Sequence, residues 1–583
     1  MFIRQRPIEG TSKIRVVICE SVRTGNKVAQ KTIRHVGVAK NESELKIFLH
    51  AADVLMHEIE TSRRGGALFD DFDVLNEEKS EDCNKKKTQV RVENLKELEK
   101  RIEGPLDIFG HAAELMRINQ LVKAESRELL NHLISQRIST PASKRRTRNI
   151  LEKDAGFNCS LDSIYRLLTR LGRKHEEVNK VVSSAAKDLF DSKIDLMFFD
   201  VTTLYFESTD PDELREFGFS KDCKFGEVQV TLALAAQKNG FPIGYKLFPG
   251  NTAEVSTLIS CIDDWKKSLA IDEVVFVADR GMFSAKNLHC IQSAGYKFVV
   301  GCPLKKLGRA FEKQIFEEAD YKEEVLTSSG ECVRNKRLAH TLSFKEEVQA
   351  DAENQADSKS EADIAQFRTF DVQGHVIICH SPIRAKKDAR DRSQMIEKAK
   401  KKYENKSKAT PSKVKALIGN RGYAKYLLIN NLDSAEILVD EAKIQEDAKW
   451  DGISGIFTNA ELSNIECLSR YRGLWQIEEC FRISKSHLKI RPIFHYSPAR
   501  IQGHIALCFL SLAVLKFTQT KLAQADVKIT IQSLTDELSR VGSTLMEDKF
   551  SKTRFRVPSK LTETGRAIYK ALGIKRTESA ALA

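Results

Sequence analysis

The sequence predicts an α/β protein: a mixed sheet covered by helices, preceded by a helical region. Three observations carry this. From residue 194, "IDLMFFD", "EVQVTLALAAQ" and "PIGYKLFPGN" read as three strands; a helical stretch at 253–269, a strand "EVVFVAD", a helix and a strand "YKFVVGC" follow. From about residue 105 to 189 the apolar residues recur at helical spacing, as in "SIYRLLTRLGRKHEEVNKVV". The 583-residue length exceeds one ordinary domain, so two to four structural units are expected, with enough chain for a sizeable core.

Taken in chain order, residues 14–38 alternate around "RTGNK", which predicts a β-hairpin turning at Thr24-Gly25-Asn26. This defines an N-terminal hairpin region, 1–60. The charge-dense "EEKSEDCNKKKTQVRVENL" reads as linker, with bounds at 61–104, and the helical module spans 105–190. Within that module "SKRRTRN" at 143–149 places four cations together, a basic face for DNA or a solvated charged face. The first part of the sheet core is expected at 191–305. An irregular stretch at 306–460 follows, with an acidic low-complexity run at 347–366, a strand-like "FRTFDVQGHVIICH", a very basic region at 384–415 and "GIFTN". The rest of the core is expected at 461–520 and a helical C-terminal region at 521–583.

Composition narrows the class. Ninety-four Lys plus Arg against 81 Asp plus Glu leave a formal charge of +13, which favours a polyanionic partner. The longest apolar run, 505–515, is about half of the roughly 20 residues a membrane-spanning helix needs, so it reads as a buried helix and no membrane partner is expected. "MFIRQRPIEG" lacks a secretory apolar region, so the protein is expected to stay inside the cell that makes it. Twelve cysteines without a CxxC pair read as reduced structural thiols, and no histidine cluster has zinc-ligand spacing.

"YRGLWQIEECFRISK" at 471–485 mixes charge with an apolar spine. On a helix, positions seven apart fall within about 20° of one another, so Tyr471, Glu478 and Lys485 form one row, with Arg482 one turn beyond Glu478. Leu474, Ile477, Phe481 and Leu488 form an apolar stripe beside it. Packing that stripe on the sheet holds the row at the rim of a cleft; the plainer reading is a solvated face. Asp200 and Asp279 each end an apolar strand run, where open sheets place functional groups, although a single such aspartate is more often a turn or cap residue. With Glu478 they make three carboxylates, which suit hard, oxygen-preferring cations such as Mg²⁺. Two such ions can serve an in-line phosphodiester displacement.

The stretches "FFDVTTLYF", "GFSKDCKFGEVQVTLALAAQKNGFPIGYKLFPGNTAE", "VVFVADRGMFSAKNL" and "YRGLWQIEECFRISKSHLKIRPIFH" together resemble the DDE transposases of bacterial insertion sequences, in the branch with a Tyr-Arg-Glu-Lys signature. The resemblance implies a ribonuclease H-like domain, a five-stranded mixed sheet with helices. A mainly β insertion would fill the 199-residue gap between Asp279 and Glu478. It implies Asp200, Asp279 and Glu478 as catalytic residues binding two Mg²⁺, with Mn²⁺ able to substitute. Tyr471 and Lys485 would contact double-stranded DNA. The signature's arginine position holds Leu474 here; Arg472 is out of phase with the row, and Arg482 is the expected substitute. Arg491, Lys144, Arg145 and Arg146 complete the expected DNA contacts, and Trp450 either stacks on a displaced base or packs in the fold. Recognition of terminal inverted repeats, strand cleavage and transfer, a synaptic dimer and a bacterial, cytoplasmic, nucleoid-associated location follow from the same resemblance. The alternatives are a structure-specific nuclease on the same fold and an inactive DNA-binding relative.

Overall fold

The computed structural model describes residues 1–8, 13–24, 27–63, 92–190, 197–207, 210–218, 227–237, 239–252, 265, 275–326, 329–348, 366–404, 422–431 and 436–583. The chain divides into two compact units, Met1–Gln89 and Val90–Ala583.

In the first unit, β1 (Phe2–Pro7), β2 (Ile14–Thr24) and β3 (Lys27–Ala39) form an antiparallel sheet in that order, and α1 (Glu42–Arg63) follows. Val16, Ile18 and Ala52 are fully buried between sheet and helix. The expected hairpin is present, with Thr24 opposite Lys27; Gly25 and Asn26 lie outside the described residues, as does most of the expected linker.

The second unit opens with β4 (Leu95–Ile102), then α2 (Arg127–Ser139), α3 (Lys144–Asp154), α4 (Leu161–Gly172) and α5 (His175–Phe190). Ser143 and Ser160 cap α3 and α4, accepting from Arg146 N at 3.3 Å and Ser163 N at 3.0 Å, the role serine favours at a helix start. Next come β5 (Met197–Tyr205), β6 (Gln229–Gln237), β7 (Pro242–Pro249), β8 (Val275–Ala278), β9 (Lys297–Cys302), β10 (Lys322–Val325), β11 (Cys332–Val348) and β12 (Gln366–His380). The basic region forms α6 (Pro382–Glu404) as far as it is described, followed by β13 (Leu427–Asn431), β14 (Glu436–Val439) and β15 (Ile453–Thr458). Then follow α7 (Asn464–Arg472), α8 (Trp475–Arg482) and α9 (Pro498–Gln524), with β16 (Gly542–Asp548), β17 (Arg554–Pro558) and β18 (Ala581–Leu582) near the end. The expected helix at 253–269 lies outside the described residues, apart from Trp265.

The central sheet has nine strands in the order β10-β11-β12-β15-β9-β8-β5-β6-β7, where five were expected. The insertion is mainly β, but four of its strands extend the core sheet: β15 pairs antiparallel with β9, and β12 with β15. Without them β9 would present a row of unpaired backbone groups. Two further expectations change. The C-terminal region contains β16, β17 and β18, and these complete a four-stranded sheet with β4, inside the stretch read as linker. "LKELEKRI" carries too little apolar alternation to announce a strand.

Residues 505–515 are buried, as expected, in the middle of α9. That helix is long and apolar enough to cross a membrane by length and composition, yet 89% of its apolar window is buried inside the fold. It packs against α2, α4, α5 and β7, so the helical module shares one core with the sheet. The α4–α9 crossing depends on two glycines. A Cβ on Gly503 would collide with the carbonyl of Leu168, and one on Gly172 with that of Ala499. Gly503→Ala is therefore expected to cost roughly 1–3 kcal/mol by forcing the helices apart. A lowered thermal midpoint checks it, and an unchanged one contradicts the close crossing.

His132 on α2 is 5% exposed and stacks on Phe157 at 4.2 Å between ring centroids. Burial pushes its pKa down to about 4, so the ring is neutral in the fold. Its contribution is present above the unfolded value near 6.5 and is lost as pH falls toward 4, about 3 kcal/mol in all. The thermal midpoint of the protein should fall over that window, and less steeply in His132→Leu.

Candidate active site

The site is built on a strand pair. β5 and β8 run parallel, with Met197 opposite Phe276 and Phe198 opposite Val277. Asp200 lies two residues beyond Phe198, inside β5 and not at the strand end expected from the apolar run, because β5 continues to Tyr205; Asp279 is the first residue after β8. Side chains alternate along a strand, so Asp200 shares its face with Phe198. The opposite face is apolar: Phe199 meets Phe276 at 5.9 Å and Trp265 at 6.0 Å between ring centroids. Asp279 is exposed and caps a short turn, accepting from Gly281 N at 2.8 Å. Asp200 is half-buried, and Val201 N donates to its Oδ1 at 2.7 Å.

The glutamate segment packs on the Asp200 face. The ring of Phe198 lies directly against Gly473, where a Cβ would collide with it. Leu474, Ile477, Phe481 and Leu488 are all buried, as the apolar stripe requires, and Glu478 is exposed beside them. The segment is not the single regular helix that the row assumed. A capping box of Ser463 and Glu466 starts α7, which stops at Arg472; α8 then opens on tight turns, with Gln476 N donating to Gly473 O and Ile477 N to Leu474 O. After Arg482 the chain widens into a π-helical turn, Ile483–His487. Tighter and wider turns rotate successive side chains by different angles, so Tyr471, Glu478 and Lys485 no longer fall in one straight row.

Tyr471 is half-buried, its hydroxyl against Gly301 of β9 and near the Arg280 side chain. Burial pushes the phenol pKa up, with Arg280 and Asp279 as the nearby charges, so Tyr471 sits beside the Asp279 turn. Arg472 faces the insertion, donating to Glu331 at 2.6 Å, in keeping with its position outside the row. Arg482 donates twice to Glu479, at 2.6 and 2.7 Å, so the side chain expected to meet DNA is held by the neighbouring glutamate in an exposed ion pair, a weak class of contact. Lys485 is exposed. Arg491 donates to the Tyr205 carbonyl at 3.0 Å and stacks its guanidinium 3.2 Å from the Tyr205 ring centroid, which ties the chain after the glutamate segment to the end of β5.

In the basic stretch, Arg145 and Arg146 are exposed, whereas Lys144 is 5% exposed and donates to His504 Nδ1 at 3.1 Å. The expected basic face therefore loses Lys144, which the first turn of α3 aims inward. Trp450 packs in the fold, edge-on to Phe316 at 5.1 Å. The exposed tryptophan near Glu478 is Trp475, 58% exposed, which the sequence reading did not single out because no periodic signal separates an exposed from a packed indole.

Among the described residues, no group of three or more His, Cys, Asp or Glu converges closely enough to hold a metal ion. The donor chemistry nevertheless fits a hard divalent cation: Asp200, on the β5 face that the glutamate segment covers, and the exposed Asp279 and Glu478 are all carboxylates. The fold is that of an α/β protein in which Asp200 lies within β5 and Asp279 directly follows the adjacent parallel strand β8. The family model for the transposase DDE domain matches residues 191–514, and the chain belongs to that family. A solved structure of a piggyBac transposase synaptic complex with hairpin DNA is similar at a TM-score of 0.33 and 9% identity, over 75% of this chain and 78% of that one. No curated protein matches the sequence.

The Gly301–Tyr471 contact predicts a paired result. Gly301→Ala should cost roughly 1–3 kcal/mol, because the new methyl meets the tyrosine hydroxyl. Adding Tyr471→Phe should recover part of that loss in thermal melting, and simple additivity of the two changes would show that they do not touch.

Proposed function

We propose that this chain is the transposase of a bacterial insertion sequence, in the Tyr-Arg-Glu-Lys branch. It binds the terminal inverted repeats, cuts the DNA there and joins the freed end to target DNA. The observation that carries this reading is the match of residues 191–514 to the transposase DDE domain, and the parallel pairing of β5, which holds Asp200, with β8, which Asp279 follows, supports it. The strand order β7-β6-β5-β8-β9, antiparallel for the first three and parallel for the next two pairs, supports a ribonuclease H-like core.

The family works with divalent metal ions. Asp200, Asp279 and Glu478 would hold two Mg²⁺, or Mn²⁺ in their place, and the ions supply activation of the attacking oxygen and neutralisation of charge on the leaving one. In cleavage, a water oxygen bonds to phosphorus, the bond from phosphorus to the 3′ oxygen breaks, and that oxygen takes up a proton as the free 3′-hydroxyl. In transfer, the same 3′ oxygen gives up its proton, bonds to a phosphorus of target DNA and displaces a target 3′ oxygen, so one phosphodiester replaces another. Tyr471, held beside the Asp279 turn, and Lys485 orient the strand at the cut. Arg482 exchanges Glu479 for a DNA phosphate, and Arg145 and Arg146 offer exposed cations to the duplex. Two copies act together to hold the two ends, on DNA in the bacterial cytoplasm.

Asp200→Asn and Asp279→Asn should lower single-turnover cleavage of an end duplex by ~10³-fold or more while end binding stays within a few-fold, since the carboxylates serve chemistry and not the main DNA contacts. Glu478→Gln should behave the same way with an unchanged thermal midpoint, whereas Glu479→Gln, which only releases Arg482, should keep most activity. Cleavage at the wild-type rate in any of the first three variants overturns the assignment.

A further inference from the structure

A cavity of about 320 Å³ lies where the start of α3, the end of α2 and the chain that follows the glutamate segment meet. Five cations line it, Arg137, Lys144, Arg145, Lys489 and Arg491, and no lining residue is acidic. Lys144 and Arg137 are each only 5% exposed. Arg137 is committed to the fold, donating to the carbonyls of Leu488 at 3.4 Å and Ala142 at 3.2 Å. Lys144 is not so committed. Its hydrogen-bond partner is His504 Nδ1, and His504 is fixed as the Nε2–H tautomer because that nitrogen donates to the Ile490 carbonyl at 2.9 Å. An ammonium with three donors thus lies buried against one neutral acceptor, in a wall that holds no carboxylate.

Burying a cation without a counter-charge is costly, so such a cavity is built to receive an anion. Its rim indicates which kind. Phe494 is 64% exposed and lines the opening, and Tyr496, 74% exposed, follows two residues on. Exposed rings beside buried cations match a polynucleotide, whose phosphates seek the charge while its bases or sugars pack on the rings. A small free anion has no use for them. Arg491 also donates to Tyr205, which lies five residues past Asp200 on β5, about 16 Å along the strand. An anion held here is therefore tied through one side chain to the strand that carries the first aspartate.

We propose that this cavity seats one backbone phosphate of the bound DNA, with Lys144 and Arg491 as its direct ligands and Phe494 packing against the adjoining nucleotide. The seat rests on the reading of the chain as a DNA-cutting protein. It adds a fixed register point between the strand and the carboxylates, contributed jointly by the helical module and the chain after Glu478. The charge state of the cavity agrees. Burial and then Arg137 hold the Lys144 pKa down to about 7, burial and then Lys144 hold His495 to about 4, and burial and Lys144 hold His504 well below its usual value. Each group resists a further positive charge, the condition an incoming phosphate relieves.

The test uses the full-length protein and an end duplex in which single phosphates are replaced, one at a time, by uncharged methylphosphonates. Wild type should lose about tenfold in affinity at one phosphate that Lys144→Met no longer senses. Lys144→Met should also weaken binding of the unmodified duplex about tenfold and reduce the salt slope by about one. Its thermal midpoint should not fall, since an unpaired buried cation has been replaced by an apolar side chain of similar length. Phe494→Ala, at an exposed position, provides a second variant if Lys144→Met does not fold, and should lose affinity with an unchanged salt slope. Failure of every phosphate to couple to Lys144 overturns the seat, as does an equal stabilisation of wild type and Lys144→Met by inorganic phosphate. A wild-type protein that neither binds nor cuts the duplex overturns the functional reading instead, and Asp200→Asn binding like wild type separates the two failures.

Discussion

The parallel pairing of β5 with β8 is the constraint on which the rest of this molecule depends. Parallel strands cannot be joined by a tight turn, so the chain completes the β5–β6–β7 meander and crosses back before β8 can form beside β5. Both strands are buried on both faces, and Phe198, Phe199, Phe276 and Val277 leave no freedom to slip. A one-residue shift would turn Asp200 away from the glutamate segment and put a phenylalanine in its place. The register of the two strands is thus enforced by hydrophobic packing on either side of them.

The glutamate segment is fixed by close contacts of the same kind. Gly473 leaves room for the Phe198 ring, and Gly301 leaves room for the Tyr471 hydroxyl, so the segment is pinned to β5 at one point and to β9 at the other. Cys480 Sγ adds a contact to the Gly240 carbonyl at the turn before β7. The insertion shares this geometry: β15 returns antiparallel along β9, and its end leads into α7, so the strands that extend the sheet also deliver the glutamate segment to its place.

Charge is distributed to match. Exposed cations lie where they cost little, on α3 and along the segment after Glu478, and of the proposed site carboxylates Asp200 lies within β5, Asp279 just after β8 and Glu478 on an exposed helix face. Four described cations depart from this pattern by being buried, Arg137, Lys144, Arg215 and Lys336, and the first two line one cavity. Arg137 is satisfied by carbonyls and holds the α2–α3 connection against the chain at Leu488. Lys144 is left with capacity to spare.

Much of the site was legible in the sequence because periodicity encodes it locally. The apolar run before Asp279 does end with its strand, whereas the one before Asp200 breaks off in mid-strand because β5 continues to Tyr205; Leu474, Ile477, Phe481 and Leu488 mark the buried side of a segment whose exposed side carries Glu478. The four stretches that resemble DDE transposases lie within the matched family span. What the sequence could not contain was decided by contacts between distant segments. The register of β5 against β8, the addition of four insertion strands to the edge at β9 and the pairing of β4 with β16 all depend on partners far along the chain, and a strand's own residues specify its faces but not its neighbour. The inward turn of Lys144 has the same origin. Composition shows four cations at 144–148, and only the packing of α3 against α9 decides which of them faces water.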